Sequence, residues 1–563
     1  MKIPKSILSN ANQAFRRRDF KEAESLYKRA LRYDPTHFDA RGNLATTLNE
    51  LGKIEEFYSI ARDLYKERPH DPGVLNKIGI AHFRKGEFEE AYRKLKLAIP
   101  LDPKRYETFL NLSSVAGEVG DNRGGLEYAL EAVKLDPSNT GGHTNLGSAF
   151  MASGKPDEAK HCFETVLMLD PKNNYARTNL AVLETRGGNH PAAIIAYEAC
   201  LADLNLDPIE EQKIRFFLGL SYLCVGNFVE GWKNYAYGFI EESTNGRNPC
   251  RKFNCSQWGG ESLTNKTILV WREQGLGDEL MFFSALQDLR SRAESEGGNV
   301  IVESDWRLCK LLGRSFPSFK VRPQAYFDKP NMQSPFDDFD FHIPSGSLFA
   351  YFRQRLSDFE GSTPYLKVDE KAQQLFDTRL GTRSRVLRLG ICWRSGALSA
   401  IRNINYTALV DWEEVLKLGN IQLVNLQYGD TEQERRKATD ELAVHLNHWP
   451  DLDLKDDLDN TAALCANLDL VISVGTAAAQ LACAVGTPTL ILAAGLGWTS
   501  FGTKDYPIYP NARFITPIES GMNVSTIPPR IAQALIKFNS EGQPREKVLE
   551  IIFDYLQDNS QDK

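Results

Sequence analysis

The sequence predicts an α-helical repeat superhelix followed by an α/β region of two doubly wound halves, and three observations point to it. Prolines recur at positions 35, 69, 103, 137 and 171, an interval of 34 residues. From about residue 267 onward, short β-rich runs alternate with amphipathic segments. At 563 residues the chain also exceeds what one hydrophobic core usually serves, so about three domains are expected.

The repeat is carried by more than its prolines. YDP at 33–35 and LDP at 101–103, 135–137 and 169–171 surround four of them. Twelve residues earlier stand Ala23, Phe57, Ala91, Gly125 and Ala159, mostly small, as closely crossing helices require. Gly52, Gly86, Gly120 and Gly154 mark the turn between the two helices. A helix-turn-helix of this length and punctuation resembles the tetratricopeptide repeat. Five repeats are regular, a sixth closes at Pro208, and a degenerate seventh (217–239) caps the stack, giving a repeat domain over 1–240. Such arrays bury each repeat only on its neighbours and hold extended peptides or partner proteins on the concave side. A protein or peptide in that groove is expected, with a spacer or dimerisation role as the alternative. Asn43, Asn76, Asn111, Asn145 and Asn179 recur almost in phase, suited either to a bound backbone or to local packing.

Charge and composition narrow the partners. A net charge of −7 gives no general attraction to nucleic acid or anionic lipid, so neither is expected as a principal partner. The amino terminus shows no apolar core followed by a small-residue cleavage site, so no secretory signal is expected. Residues 470–503 carry no charge, but their glycines and Pro488 break them every few residues; buried strand, helix and strand fit better than a membrane span. Nine scattered cysteines without a C-x-x-C argue against a disulfide framework and a zinc ribbon, which leaves the cytoplasm as the simplest compartment.

Residues 241–266 read as a polar connector. Beyond it, TILVW (267–271), an apolar-periodic segment over 279–292 and NVIVES (299–304) open a first half, residues 267–385. RLGICW, DWEEVLKLG, QLVNLQ, DNTAALCANL, DLVISV, TAAAQLACAVG and TPTLILA form a second, residues 386–563. In open parallel sheets ligands bind beyond the carboxyl ends of the strands, and a glycine-rich turn there lets backbone approach them. Gly275-Leu276-Gly277-Asp278 is such a turn. Position 280 is leucine instead of the third glycine of a dinucleotide fingerprint, and no Walker loop occurs, so no nucleotide cofactor of those kinds is expected.

EQGLGDELMFFSAL, RLGICWRSG, Arg402-Asn403-Ile404 ahead of Trp412, NLQYGD and DNTAALCANLDLVISVGTAAAQLACAVGTPTLIL succeed one another in an informative order. Together they resemble bacterial heptosyltransferase-type glycosyltransferases of family 9, above all members with an amino-terminal tetratricopeptide array. The resemblance covers essentially the whole chain. O-linked N-acetylglucosamine transferases share the plan more distantly. It implies a GT-B fold of two Rossmann-like domains, the acceptor bound mainly by the first and the nucleotide-sugar by the second, with no metal and no resident cofactor.

By that resemblance Asp278 matches the catalytic aspartate, a carboxylate able to take the acceptor's proton; a helix N-cap is its alternative reading. Gly275 and Gly277 would let backbone approach the substrate. Arg394 and Ser395, then Arg402, and Gly475-Thr476 at a helix start are the candidates for the leaving diphosphate. An exposed salt bridge is the alternative for Arg402. Gln427 is a candidate for reading the base, and Trp498 either stacks on it or fills the core. Where the family usually carries Asp-Thr and a His four residues later, this chain has Gly475-Thr476 and Gln480, so the donor need not be a heptose and activity need not be retained. Asp338-Phe339-Asp340 is discounted as a metal site.

The expectation is a cytoplasmic inverting glycosyltransferase moving a sugar from a nucleotide-sugar to a protein recruited by the repeats. Flagellin or another surface-structure subunit is the acceptor class the resemblance implies. A non-catalytic scaffold or sugar-nucleotide sensor is the alternative.

Overall fold

A computed structural model describes residues 3–203, 206–240, 246–325, 332–382, 386–395, 405–517 and 524–558. The chain divides into two compact units, Met1–Leu180 and Ala181–Lys563, with the division inside the helix Asn174–Arg186.

The first unit is a run of antiparallel helix pairs, beginning Lys5–Arg16 with Phe20–Tyr33 and Phe38–Glu50 with Ile54–Glu67, and ending Thr140–Ala152 with Pro156–Leu169. Each pair turns where the repeat predicts. Gly52, Gly86, Gly120 and Gly154 all lie at φ between +69° and +77°, a conformation open to glycine because it lacks a Cβ. Asp19, Asp71, Asp121 and Asn139 cap the following helices by accepting a backbone N–H three residues on. Ala23, Phe57, Ala91 and Ala159 are fully buried or nearly so. Among the described residues, the second unit opens with further helices of the same alternation, His190–Leu201, Pro208–Cys224 and Phe228–Tyr235.

The second unit adds two parallel sheets. The first, among the described residues, contains β1 (Thr267–Trp271), β2 (Asn299–Ser304), β3 (Lys320–Pro323) and β4 (Phe341–Pro344) in the order β3-β2-β1-β4. The second contains β5 (Leu387–Cys392), β6 (Ile421–Asn425), β7 (Leu446–Asn447), β8 (Leu470–Val474), β9 (Thr489–Leu492) and β10 (Ala512–Ile515), in the order β10-β9-β8-β5-β6-β7. Read from β7 this is the 3-2-1-4-5-6 order of doubly wound dinucleotide-type sheets. The chain reverses its direction of winding between β1 and β4, and again between β5 and β8. Among the described residues no helix is long and apolar enough to cross a membrane.

Three sequence expectations change. The helix expected over 279–292 is two helices, Leu276–Phe282 and Leu286–Glu296, joined by a 3-10 turn at Phe283–Ala285. The hydroxyls of Tyr365 and Tyr509 both donate to Leu280 O, the carbonyl that would otherwise accept from the amide of residue 284. Residues 246–266 of the connector are packed: Arg247 and Trp258 are buried, and Trp258 N donates to His342 O of β4. The boundary read at residue 240 is not where the compact units divide. Trp232 of the last repeat helix donates its indole N–H to Arg353 O and packs edge-on against Phe349, Trp498 and Phe501, so this helix belongs to the α/β core.

Candidate functional site

Both points where the winding reverses open into one cleft of 610 Å³. From the first sheet it receives the turn after β1, with Gly275, Leu276, Gly277 and Asp278, and Arg307 from the segment after β2. From the second it receives Ser395 after β5, Tyr428 after β6, and Gly475, Thr476 and Gln480 after β8. Seven of the residues singled out in the sequence therefore meet: Gly275, Gly277, Asp278, Ser395, Gly475, Thr476 and Gln480.

Asp278 is the third residue of its helix, so it is not the N-cap; Gly275 holds that place. Gly275 N donates to Asp278 Oδ2 at 3.2 Å, which steers the carboxylate across the helix start. Opposite stands the start of helix Ala477–Val485, capped by Thr476, whose hydroxyl accepts from Ala479 N and lies 3.0 Å from Ser473 Oγ. Gly475 has open space where a side chain would begin. Gly277 does not: a Cβ there would lie 3.6 Å from Gln480 Cγ and 3.7 Å from Ala477 N. Two helix amino termini thus converge on the cleft, each turning partial positive charge toward it.

Other sequence candidates are engaged elsewhere. Arg394 pairs with Glu434 at 2.6 Å and donates to Asp430 O, away from the cleft lining. Gln427 is buried, its carbonyl oxygen accepting from the amides of Trp393 and Arg394 while Nε2 donates to Tyr428 O; this amide fastens the β5 turn and is spent before any base could reach it. Trp498 takes the core alternative, stacked on Phe282 at 6.1 Å and tilted against Tyr235 at 5.8 Å. Gln480 is bonded through its amide to the Tyr506 hydroxyl. Arg402 lies outside the described residues. Asp338 and Asp340 are held by Lys320, Arg322 and Lys266, which accounts for both carboxylates.

Sequence reasoning missed Arg307 and Lys455. Arg307 donates to both oxygens of Asp305, and its remaining amino group reaches Lys455 O at 3.1 Å and Asp456 Oδ1 at 3.3 Å, linking the two sheets' lobes beside the cleft. The bonds to Asp305 hold its guanidinium above its ordinary pKa. Lys455, exposed, lines the cleft on the other side of that link. The available signal was position: both follow the ends of elements where such sheets open. Asp305 also receives Arg272, and Arg272 Nε lies 2.8 Å from Glu279 Oε2. Glu279, next to Asp278 and fully buried, accepts from Ser304 Oγ and Asp305 N. Burial raises its pKa to about 7 against the pull of Arg272.

In the repeats the asparagines bond one another and their neighbours. Asn43 donates to Asn12, Asn111 to Asn76, Asn145 to Leu110 O and Ser113, and Asn179 to Tyr175 O.

Known proteins separate the two parts of the chain. Tetratricopeptide repeat models match residues 14–64 and 144–208. The first part is a tetratricopeptide-repeat array. Protein FlbA of Caulobacter vibrioides is 28% identical over 527 residues, covering 92% of this chain and 82% of FlbA, so its likeness extends through the α/β part. Protein O-mannosyl-transferase TMTC3 of Homo sapiens is 26% identical over 203 residues, 35% of this chain and 20% of that protein. Among solved structures, the Cut9-Hcn1 hetero-tetramer superposes over 41% of this chain and 45% of the other, with TM-score 0.36 and 17% identity.

Proposed function

We propose that this chain is an inverting glycosyltransferase of GT-B type that moves a sugar from a nucleoside-diphosphate sugar to a protein held by the repeat array. The observation that carries the reading is the facing of Asp278 and the Thr476–Ala477 helix start across one cleft. Asp278 takes the proton of the acceptor hydroxyl as its oxygen attacks the anomeric carbon. The bond from that carbon to the diphosphate breaks, and the nucleoside diphosphate leaves with the electron pair. Its charge is met by amide donors at the start of helix Ala477–Val485 and by Ser395, and the resemblance assigns Arg402 to the same role. One displacement inverts the anomeric centre, and the reading calls for no metal ion.

The repeats supply recruitment, because an array of this kind offers a long surface to an extended chain. A cytoplasmic acceptor such as flagellin or another surface-structure subunit fits the resemblance to repeat-bearing protein glycosyltransferases. A relative named as a protein O-mannosyl-transferase agrees with it in kind.

A second reading, a sugar-nucleotide sensor without turnover, is favoured by one observation: Gln480 is bonded to Tyr506, at the place where the resembled family carries histidine. Asp278→Ala separates the two. Titration with UDP-, GDP-, ADP- and CMP-sugars should show binding by both proteins, with hydrolysis by the wild type alone, about 10²–10⁴-fold above the variant. Binding without turnover by either supports the sensor, and binding by neither refutes both readings.

A further inference from the structure

We propose that Tyr235 and Arg247 are positioning residues of this site: the last repeat helix and the connector set the turn that presents Asp278. The inference rests on the transfer reading above. The turn after β1 contains Glu273 and Gln274, and each is gripped by the last repeat helix or the connector, elements outside the two sheets. Gln274 lies at φ +58°, a conformation a residue with a Cβ rarely adopts. Two bonds hold it there: its N–H donates to Asn248 O at 2.5 Å, and its Nε2 donates to the Tyr235 hydroxyl at 3.1 Å.

Glu273 is fixed in the same way. Arg247 donates Nε and Nη2 to its two carboxylate oxygens at 2.7 and 2.6 Å, and Gly346 N adds a third bond at 2.7 Å. The guanidinium is itself sandwiched, 4.4 Å from the Tyr235 ring centre and 4.2 Å from that of Phe239. Arg247, Glu273 and Tyr235 are all buried, so water does not compete for these bonds. Tyr235 has no slack of its own, because the Gly219 position of the preceding helix approaches so closely that a Cβ would lie 2.5 Å from Tyr235 N.

The next amide, that of Gly275, is the one bonded to Asp278 Oδ2. A path of direct bonds and one peptide link therefore runs from Tyr235 through Gln274 and Gly275 to the carboxylate. Burial beside Glu273 keeps the Tyr235 phenol far above its ordinary pKa, so it remains a neutral acceptor for Gln274.

The test uses the full chain carrying Tyr235→Phe, which deletes the hydroxyl and keeps the ring, beside Arg247→Lys and Gln274→Met. The probe is whichever of the UDP-, GDP-, ADP- or CMP-sugars the wild type hydrolyses. Expected is a fall in kcat of about tenfold at unchanged KM, with faster amide hydrogen exchange at residues 275–278 and a melting temperature close to wild type. Arg247→Lys and Gln274→Met should reproduce the selective loss in kcat. Full kcat in Tyr235→Phe or Gln274→Met, unchanged exchange in the turn, or a rise in KM at full kcat would each overturn the proposal while leaving the transfer reading in place. A wild type that binds and hydrolyses none of the panel removes both.

Discussion

A single methyl on Gly277 would meet Gln480 Cγ at 3.6 Å, an ordinary van der Waals contact. The two helix starts of the cleft therefore stand one carbon atom apart at this point. Gly277→Ala is expected to leave nucleotide binding within about twofold of wild type, whereas Gly277→Val should push the starts apart. A tenfold loss of affinity, about 1.4 kcal/mol, is the expected size. Calorimetric titration with nucleoside diphosphates measures it, and equal binding by both variants would count against the close approach.

Gly475 makes the opposite case. Nothing lies within 4 Å of a Cβ built there, so Gly475→Ala should melt with the wild type. Its methyl would project into the space assigned to the diphosphate. Binding should weaken about fivefold or more with stability unchanged; a variant that lost both together would place the glycine in the fold instead of the site.

Truncation separates the compact units. A chain lacking residues 1–173 keeps Phe228, Trp232 and Tyr235, which are 6%, 6% and 2% exposed in the core of the second unit. It is expected to fold, to hydrolyse nucleotide-sugar and to lose modification of a protein acceptor. A chain lacking 1–240 loses all three aromatics. At about 2 kcal/mol for each buried side chain, the loss rivals the net stability of a domain, about 5–15 kcal/mol. Near-ultraviolet circular dichroism should show a molten chain in the second case and native packing in the first.

Glu279 predicts a pH dependence with a definite sign. Its pKa rises from 4.5 to about 7 on folding. Between those values the folded chain holds a proton that the unfolded chain has released, so stability from this group is full below about 4.5 and declines as pH rises toward 7. Thermal melts of wild type and Glu279→Gln at pH 5 and pH 8 should differ in this way: the wild type loses more on going to pH 8. Parallel shifts in the two proteins would contradict the assignment.

The site was partly legible for reasons of residue type. Glycines beside an aspartate at a strand-to-helix junction, and Gly-Thr after the strand Leu470–Val474, announce themselves because a junction without side chains lets a ligand approach the backbone there. Gln427 and Arg394 were read from type as well, but an amide or a guanidinium serves a neighbour as readily as a ligand. Trp393, Glu434 and Asp430, which claim them, are recognisable as partners only after the sheet places them together.

The amino-acid order alone determined the 34-residue hairpin, the alternation of strand and helix, and the turns at Gly52, Gly86, Gly120 and Gly154, since these follow from local sterics and periodicity. It was the packed molecule that decided where the compact units divide, that Leu280 O would be taken by two tyrosines, and that Arg307 would tie Asp305 to Asp456. Those outcomes depend on pairs far apart in the chain, whose meeting depends on burial and directional bonding across the whole fold; neither partner carries a local mark of the other.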